Sequence, residues 1–176
     1  MTTTSRLPYF LIPLALIGAV LLGSVLVSCG SDECYDNRNS LPLAGLYSAQ
    51  TKQAISLDSI SVWGIGVPND SLVLDTARNV QQIYLPFKID ETRTSFVIRY
   101  DALRKRNPYT PNDTITFSYQ NVPVFESQAC GVFYEFKDVT IKYTTHFIDS
   151  VACPNGFIDN TPATNLQIYF RTQSSD

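Results

Sequence analysis

Apolar and polar residues alternate with a period of two along most of the chain, which is the pattern of β-strands that bury one face. In residues 114–120, Ile115, Phe117 and Tyr119 fall on one side and Ser or Thr on the other. The pattern predicts nine strands, near residues 42–49, 58–66, 71–75, 80–87, 94–101, 114–120, 132–144, 146–151 and 166–171. No window shows a helical repeat with a cap.

The alternation changes phase once, within residues 132–144. Apolar residues occupy even positions up to Phe136 and odd positions from Val139 onward. The change falls at Lys137-Asp138, where an extra residue in one strand would restore the pairing. We therefore expect a β-bulge or a bend there.

Short strands separated by turn residues are typical of all-β sandwiches and barrels. About nine strands within residues 42–173 predict an antiparallel two-sheet sandwich of Ig-like type, with a small closed barrel as the alternative. We find no internal repeat that would divide this domain.

The N-terminal residues resemble a secretory targeting sequence. Residues 10–27 carry no charge and end in Leu26-Val27-Ser28-Cys29, which resembles a bacterial lipobox. The segment predicts a lipoprotein signal peptide over 1–28, lipidation of Cys29 and a tether over 29–41. An uncleaved membrane anchor is the alternative reading.

Lipidation predicts attachment to the outer membrane, because two or three acyl chains hold a protein stably where one does not. Gly30 follows Cys29, so the Asp that retains lipoproteins in the inner membrane is absent. The acidic pair Asp32-Glu33 resembles the surface-export signal of Bacteroidetes lipoproteins. Both the periplasmic and the exposed face stay open.

The charge and the residue composition argue against several classes of binding and catalytic site. The formal net charge is −3, which argues against nucleic-acid binding. The chain has one His, His146, and its odd spacing from Asp149 would point the two to opposite faces of a strand. No zinc spacing, calcium loop or phosphate-binding glycine loop is present. We predict no catalytic residues, no metal and no cofactor.

The cysteines predict one disulfide. After lipidation of Cys29, three thiols remain for an oxidising compartment. We expect a Cys34–Cys130 bridge that ties the start of the mature chain to the domain. A Cys130–Cys153 bridge is the alternative.

Residues 101–112 join two strands and contain a basic cluster in an acidic protein. Arg104, Lys105, Arg106 and the nearby Tyr109 form a candidate contact loop for an anionic partner, such as an acidic glycan or phospholipid headgroups. Tyr109, Tyr169, Phe133 and Trp63 are also candidates to face outward and stack on sugar rings. An exposed, solvated hairpin tip is the simpler interpretation.

An Asp-Ser/Thr-aliphatic triplet occurs five times and resembles the O-glycosylation sequon of exported Bacteroidetes proteins. The Asp could instead simply end a turn before a strand. The candidate hydroxyls are those of Ser59, Ser71, Thr76, Thr114 and Ser150.

Several segments in order resemble a family of small uncharacterised Bacteroidetes lipoproteins. They are Cys34, Asp58–Gly66, Ile83–Pro86, Asp113–Tyr119, Ala129–Gly131 and Asn165–Phe170. The resemblance implies a β-rich lipoprotein and supports the Cys34–Cys130 pairing. It implies no activity.

These features predict a non-enzymatic accessory or interaction module anchored to the outer membrane, with an envelope protein or glycan as partner. The alternatives are an envelope hydrolase that uses scattered carboxylates or His146, and a structural subunit of the surface or of fimbriae.

Overall fold

The computed structural model describes residue 34 and residues 40–66, 72–161 and 163–172. The predicted signal peptide, Cys29 and most of the tether lie outside these residues. Contacts divide the chain after Cys34, and all the strands belong to the later part. Within the described ranges, no helix has the length and apolar character needed to span a membrane.

The described chain is all-β, as predicted, with nine strands in two sheets. The strands are β1 (Leu43–Ser48), β2 (Ile60–Gly64), β3 (Leu72–Ala77), β4 (Gln82–Tyr84), β5 (Arg93–Tyr100), β6 (Asp113–Ser127), β7 (Gly131–Tyr143), β8 (Ile148–Ala152) and β9 (Thr164–Phe170). Within the described ranges a single short helix, α1 (Asp101–Arg106), follows β5 directly.

The strands form a four-stranded sheet in the order β4-β1-β9-β8 and a five-stranded sheet in the order β3-β2-β5-β6-β7. Two separate sheets confirm the sandwich and not the closed barrel. One pair departs from the antiparallel prediction: β1 runs parallel to β9. These two strands lie at opposite ends of the domain sequence, so the intervening strands supply the long connection that a parallel pair needs.

The core lies between the sheets and is built from the predicted alternation. In β6, Ile115 and Phe117 are fully buried while the residues between them are half-exposed. Phe87 packs against Phe117 and Phe136, with ring centroids 4.9 and 5.1 Å apart. Burying one such side chain stabilises the fold by about 1.5–3 kcal/mol.

The predicted bulge is present at Asp138. Ser118 pairs with Thr140, but Gln120 pairs with Lys137, so β7 and β6 fall out of step over this stretch. Asp138 lies within the irregularity and has φ at 52°, a left-handed conformation that Asp tolerates better than most residues. The change of phase in the sequence therefore marks a real change of register.

Strand β6 continues past its predicted end at residue 120 and reaches Ser127. Beyond Tyr119, whose N–H still donates to the carbonyl of Thr92 at 3.0 Å, β6 pairs with β7 alone among the described strands. The two strands run on as a hairpin, which we call the β6–β7 arm (residues 120–137). A proline fits in this arm because β6 has a single neighbour there, so Pro123 can sit where no ladder donor is lost. At the turn Gly131 has φ at 84°, a conformation that suits glycine.

The helix α1 corrects the prediction that residues 101–112 lack helical structure. Asp101 lies in its first turn and Arg104, Lys105 and Arg106 in its last, so the charges match the helix dipole. The amide of Asn107 donates to the carbonyl of Leu103 at 2.9 Å and closes the helix. Six residues are too few to show the periodicity by which helices are found in sequence.

Cys34 and Cys130 are both disulfide-bonded, and Cys153 has a free thiol. The bond joins Cys34 to Cys130, since a bond to Cys29 would leave one of them without a partner. The alternative Cys130–Cys153 pairing is therefore wrong.

Candidate anion-binding site

The basic residues of α1 lie beside a further arginine on the outer face of the five-stranded sheet. In β5 the residues Thr94, Phe96, Ile98 and Tyr100 point into the core, so Arg99 points outward. It lies opposite Ser61 of β2 in the antiparallel register. Because α1 begins two residues later, its Arg104 and Lys105 lie close to this arginine.

Three neighbours fix the Arg99 guanidinium. Its Nε donates to Oδ1 of Asp101 at 2.6 Å, and its Nη2 donates to Oγ of Ser61 at 3.1 Å. The guanidinium carbon lies 5.6 Å from the centroid of the Trp63 ring, within the range of a cation–π contact. A guanidinium has about five N–H donors, so several stay available to a ligand.

Ser61 is fully buried and joins the site to β3. Its hydroxyl donates to Oδ2 of Asp101 at 2.6 Å and accepts the backbone N–H of Thr76 at 3.0 Å. One buried hydroxyl thus links Arg99, Asp101 and Thr76, which come from three different elements. The arrangement holds Arg99 ready before any ligand arrives, which lowers the entropy cost of binding.

These residues line an open pocket of about 450 Å³. Its walls are Thr76, Arg99, Asp101, Arg104 and Lys105. The charges of Arg99 and Asp101 offset each other, which leaves the positive charges of Arg104 and Lys105. The volume lies within the range of small-molecule sites, but the polar lining suits a charged or hydroxylated ligand better than an apolar one.

Arg104 also braces the loop after α1. Its Nη2 donates to the carbonyl of Pro108 at 3.0 Å, and its Nη1 donates to Oδ1 of Asn112 at 3.4 Å. Within the described part of the chain, Lys105 and Arg106 form no ion pair. Tyr109 is 91 % exposed. Lys105, Arg106 and Tyr109 are exposed and Arg104 is half-buried, and Arg104 and Lys105 reach the pocket.

The carboxylate that the sequence offered as a turn residue, Asp113, has a structural role. It is fully buried and accepts the hydroxyls of Tyr100 at 2.8 Å and Thr144 at 2.7 Å. It also accepts the backbone N–H groups of His146 and Phe147, and that of Ile148 at 3.2 Å. Four of these donors fasten residues 144–148, from the end of β7 to the start of β8, to the start of β6, and the fifth, Tyr100, adds β5.

Burial raises the pKa of Asp113, but the hydrogen bonds from Thr144, Phe147, His146 and Tyr100 outweigh it and lower that pKa overall. Burial and the charge of Asp113 together raise the pKa of Tyr100. Asp113 therefore stays ionised and fully hydrogen-bonded, which is the state of a structural carboxylate and not of a general acid.

The other candidate catalytic groups are dispersed. His146 is exposed and precedes β8, while Asp149 lies 3.6 Å from Nε of Arg171 in an ion pair. Burial raises the pKa of the Cys153 thiol, which disfavours the nucleophilic thiolate. The described residues contain no cluster of three or more His, Cys, Asp or Glu side chains that could hold a metal.

The predicted glycosylation sites differ in accessibility. Ser59 is 5 % exposed, so its hydroxyl is closed to a transferase in the folded chain. Thr76 is exposed at the pocket, and Thr114 and Ser150 are half-buried in strands. Ser71 lies outside the described residues. Glycosylation of the four sites other than Ser59 stays a prediction.

Sequence reasoning found the cationic cluster but missed the three residues that build the pocket around it. Arg99, Asp101 and Ser61 carry no motif, and only the register of β2 against β5 brings them together. One signal was available: Arg99 occupies the outward phase of a strand that runs directly into the basic segment.

The family model for DUF6452, a family of unknown function, matches residues 59–170. The match spans β2 to β9 and includes every residue of the pocket. No curated protein and no solved structure matches the chain. The chain belongs to the DUF6452 family.

Proposed function

We propose that this member of the DUF6452 family is a non-enzymatic, lipid-anchored interaction module of the outer membrane. In this proposal it binds an anionic glycan of the cell envelope at the pocket formed by Arg99, Arg104 and Lys105. The observation that carries the proposal is the fixed Arg99 guanidinium, which faces an open pocket with two further cations. The Bacteroidetes origin and the lipoprotein class rest on the lipobox and the resemblance in sequence.

The chemistry of the pocket favours carboxylate or sulfate groups on a sugar. The planar guanidinium of Arg99 presents paired donors that match such groups, and Lys105 adds a mobile point charge. The exposed hydroxyl of Thr76 donates to Oδ1 of Asp75 at 3.1 Å, and its oxygen can still accept a hydrogen bond from a hydroxylated ligand. Tyr109, 91 % exposed, offers a ring for stacking against a neighbouring sugar.

A binding role is consistent with the carboxylates that a hydrolase could have used, because both already have partners within the fold. Asp113 is saturated by hydrogen-bond donors, and Asp149 is paired with Arg171. The hydrolase alternative would need two carboxylates across a cleft, and no observation on these residues favours it. The structural-subunit alternative has one observation in its favour: β3 lies at the edge of its sheet and exposes Leu72.

The binding proposal is tested by titration of the purified lipidated chain with fluorescent oligogalacturonate and heparin oligosaccharides. We expect binding of at least one of the two that weakens as salt rises. The Arg104→Gln/Lys105→Gln variant should bind at least about tenfold more weakly, because the pocket loses both charges that Asp101 does not offset.

The matched control is Lys52→Gln/Lys137→Gln, which removes two exposed positive charges elsewhere and leaves the pocket intact. Its affinity should stay within about twofold of the wild-type value. Equal weakening in both variants would show that net charge alone attracts the ligand, and the assigned pocket would then be wrong.

A further inference from the structure

The β6–β7 arm exposes an apolar cross-strand pair. Phe125 and Val132 lie opposite each other in the register, so their side chains share one face of the hairpin. They are 69 % and 44 % exposed. At the base of the arm Ile89 is 39 % exposed, and its carbonyl accepts Nδ2 of Asn121 at 2.8 Å.

The outer part of the arm is almost free of charge. From Val122 to Tyr134 the sequence contains one charged residue, Glu126, in a chain with 16 % charged residues. The turn itself, Gln128–Gly131, has none. A hairpin end with a single charged residue beside an exposed apolar pair is unusual for a surface that faces only water.

Two connections hold the start of the mature chain to this arm. Cys130 at the turn is bonded to Cys34, and the backbone N–H of Ser40 donates to the carbonyl of Tyr134 at 3.0 Å. Cys34 follows closely after Cys29 in the sequence. An extended segment of that length plus a disulfide spans at most about 24 Å between the Cα atoms of Cys29 and Cys130.

We propose that the end of the β6–β7 arm is a membrane seat, with Phe125 and Val132 inserted at the boundary between headgroups and acyl chains. The inference rests on the lipid anchor of the proposed function. Acyl chains on Cys29 would place that residue at the bilayer surface, and the short connection holds the arm there. The partner of this apolar pair is therefore the lipid surface itself.

This seat places the anion-binding pocket at a distance from the membrane. The pocket adjoins the first residue of β6, since Ile98 of β5 pairs with Asp113. The arm lies at the other end of this 15-residue strand, and an extended strand of that length covers about 45 Å. With β6 standing on the arm, the pocket lies at the end of the strand that is remote from the bilayer, so its ligand lies beyond the headgroups of the anchoring membrane.

The test uses depth-dependent fluorescence quenching in phosphatidylcholine vesicles with and without brominated acyl chains. The full lipidated chain carries Phe125→Trp in a Trp63→Phe background. Its emission should be quenched roughly twofold or more by the brominated lipid, because an interfacial side chain reaches the acyl boundary. A Val132→Trp probe in the same background repeats the measurement from the facing strand.

The wild-type chain is the matched control, because its single tryptophan, Trp63, lies at the pocket. Its emission should not respond to the bromine. Co-flotation of every variant with the vesicles reports the anchor separately. Quenching of neither arm probe in a chain that floats would overturn the membrane seat and leave the anchor intact. Failure to float would instead contradict the lipid anchor.

Discussion

A single buried carboxylate, that of Asp113, closes the end of the sandwich where β5, β6 and the loop before β8 meet. Its donors come from Tyr100 and from residues 144–148. Asp113→Asn replaces one acceptor oxygen with a donor that faces other donors. We expect the free energy of unfolding to fall by about 3 kcal/mol, measured by urea denaturation. Asp138→Asn, at an exposed position that tolerates Asn, is the control and should change stability little.

The same residue gives the stability of the fold an acid dependence. The pKa of Asp113 is lower in the folded chain, so the unfolded chain binds more protons and stability rises with pH. This contribution is complete above the ordinary carboxyl pKa of about 4 and is lost as pH falls through the folded value. Urea titrations at several pH values should show a weaker acid dependence for Asp113→Asn than for wild type. Identical slopes would contradict this role.

The sequence did not reveal the role of Asp113, because its partners lie 13 to 35 residues away. Locally the residue has the same Asp-Ser/Thr context as the other triplets. The pattern places it just before a strand, whereas it is the first residue of β6, and its donors come from residues that only the folded sheets bring near it. Arg99 and Ser61 were missed for the same reason, since register and not spacing joins them.

At the scale of elements, the alternation of apolar residues located all nine strands and the bulge in β7. Period-two patterns report the burial of one face, and they work wherever a strand has a core side and a solvent side. The outer half of β6 was missed because none of its residues from Gln120 to Ser127 is buried, so no core face marks it. The helix α1 was not predicted because it is shorter than two turns and shows no helical periodicity.

The bulge gives a prediction at this scale. Asp138 has φ at 52°, where a β-branched side chain is strained. Asp138→Val should lower the free energy of unfolding by about 1–2 kcal/mol, whereas Asp138→Gly should stay within about 0.5 kcal/mol of wild type. Thermal or urea unfolding measures both. Thr140→Val, exposed in the same strand, is the control. Equal stability of the Val and Gly variants would contradict a left-handed backbone conformation at position 138.

At the scale of the whole molecule, the two proposed surfaces lie at opposite ends of β6. In the proposed orientation, the disulfide-linked end of the β6–β7 arm faces the membrane, and the pocket of Arg99, Arg104 and Lys105 lies at the opposite end of β6. A lipid anchor, a short connection and a long strand together would hold a binding site clear of the headgroups. This orientation depends on acylation of Cys29, because the acyl chains are what would hold the chain at the membrane.

The intact mass of the chain extracted from membranes tests that step most directly. We predict a species that lacks residues 1–28 and carries acyl chains on Cys29, while Cys29→Ser leaves the full-length chain unprocessed. Recovery of an unmodified wild-type chain that still begins at Met1 would contradict the lipid anchor and, with it, the membrane seat of the arm.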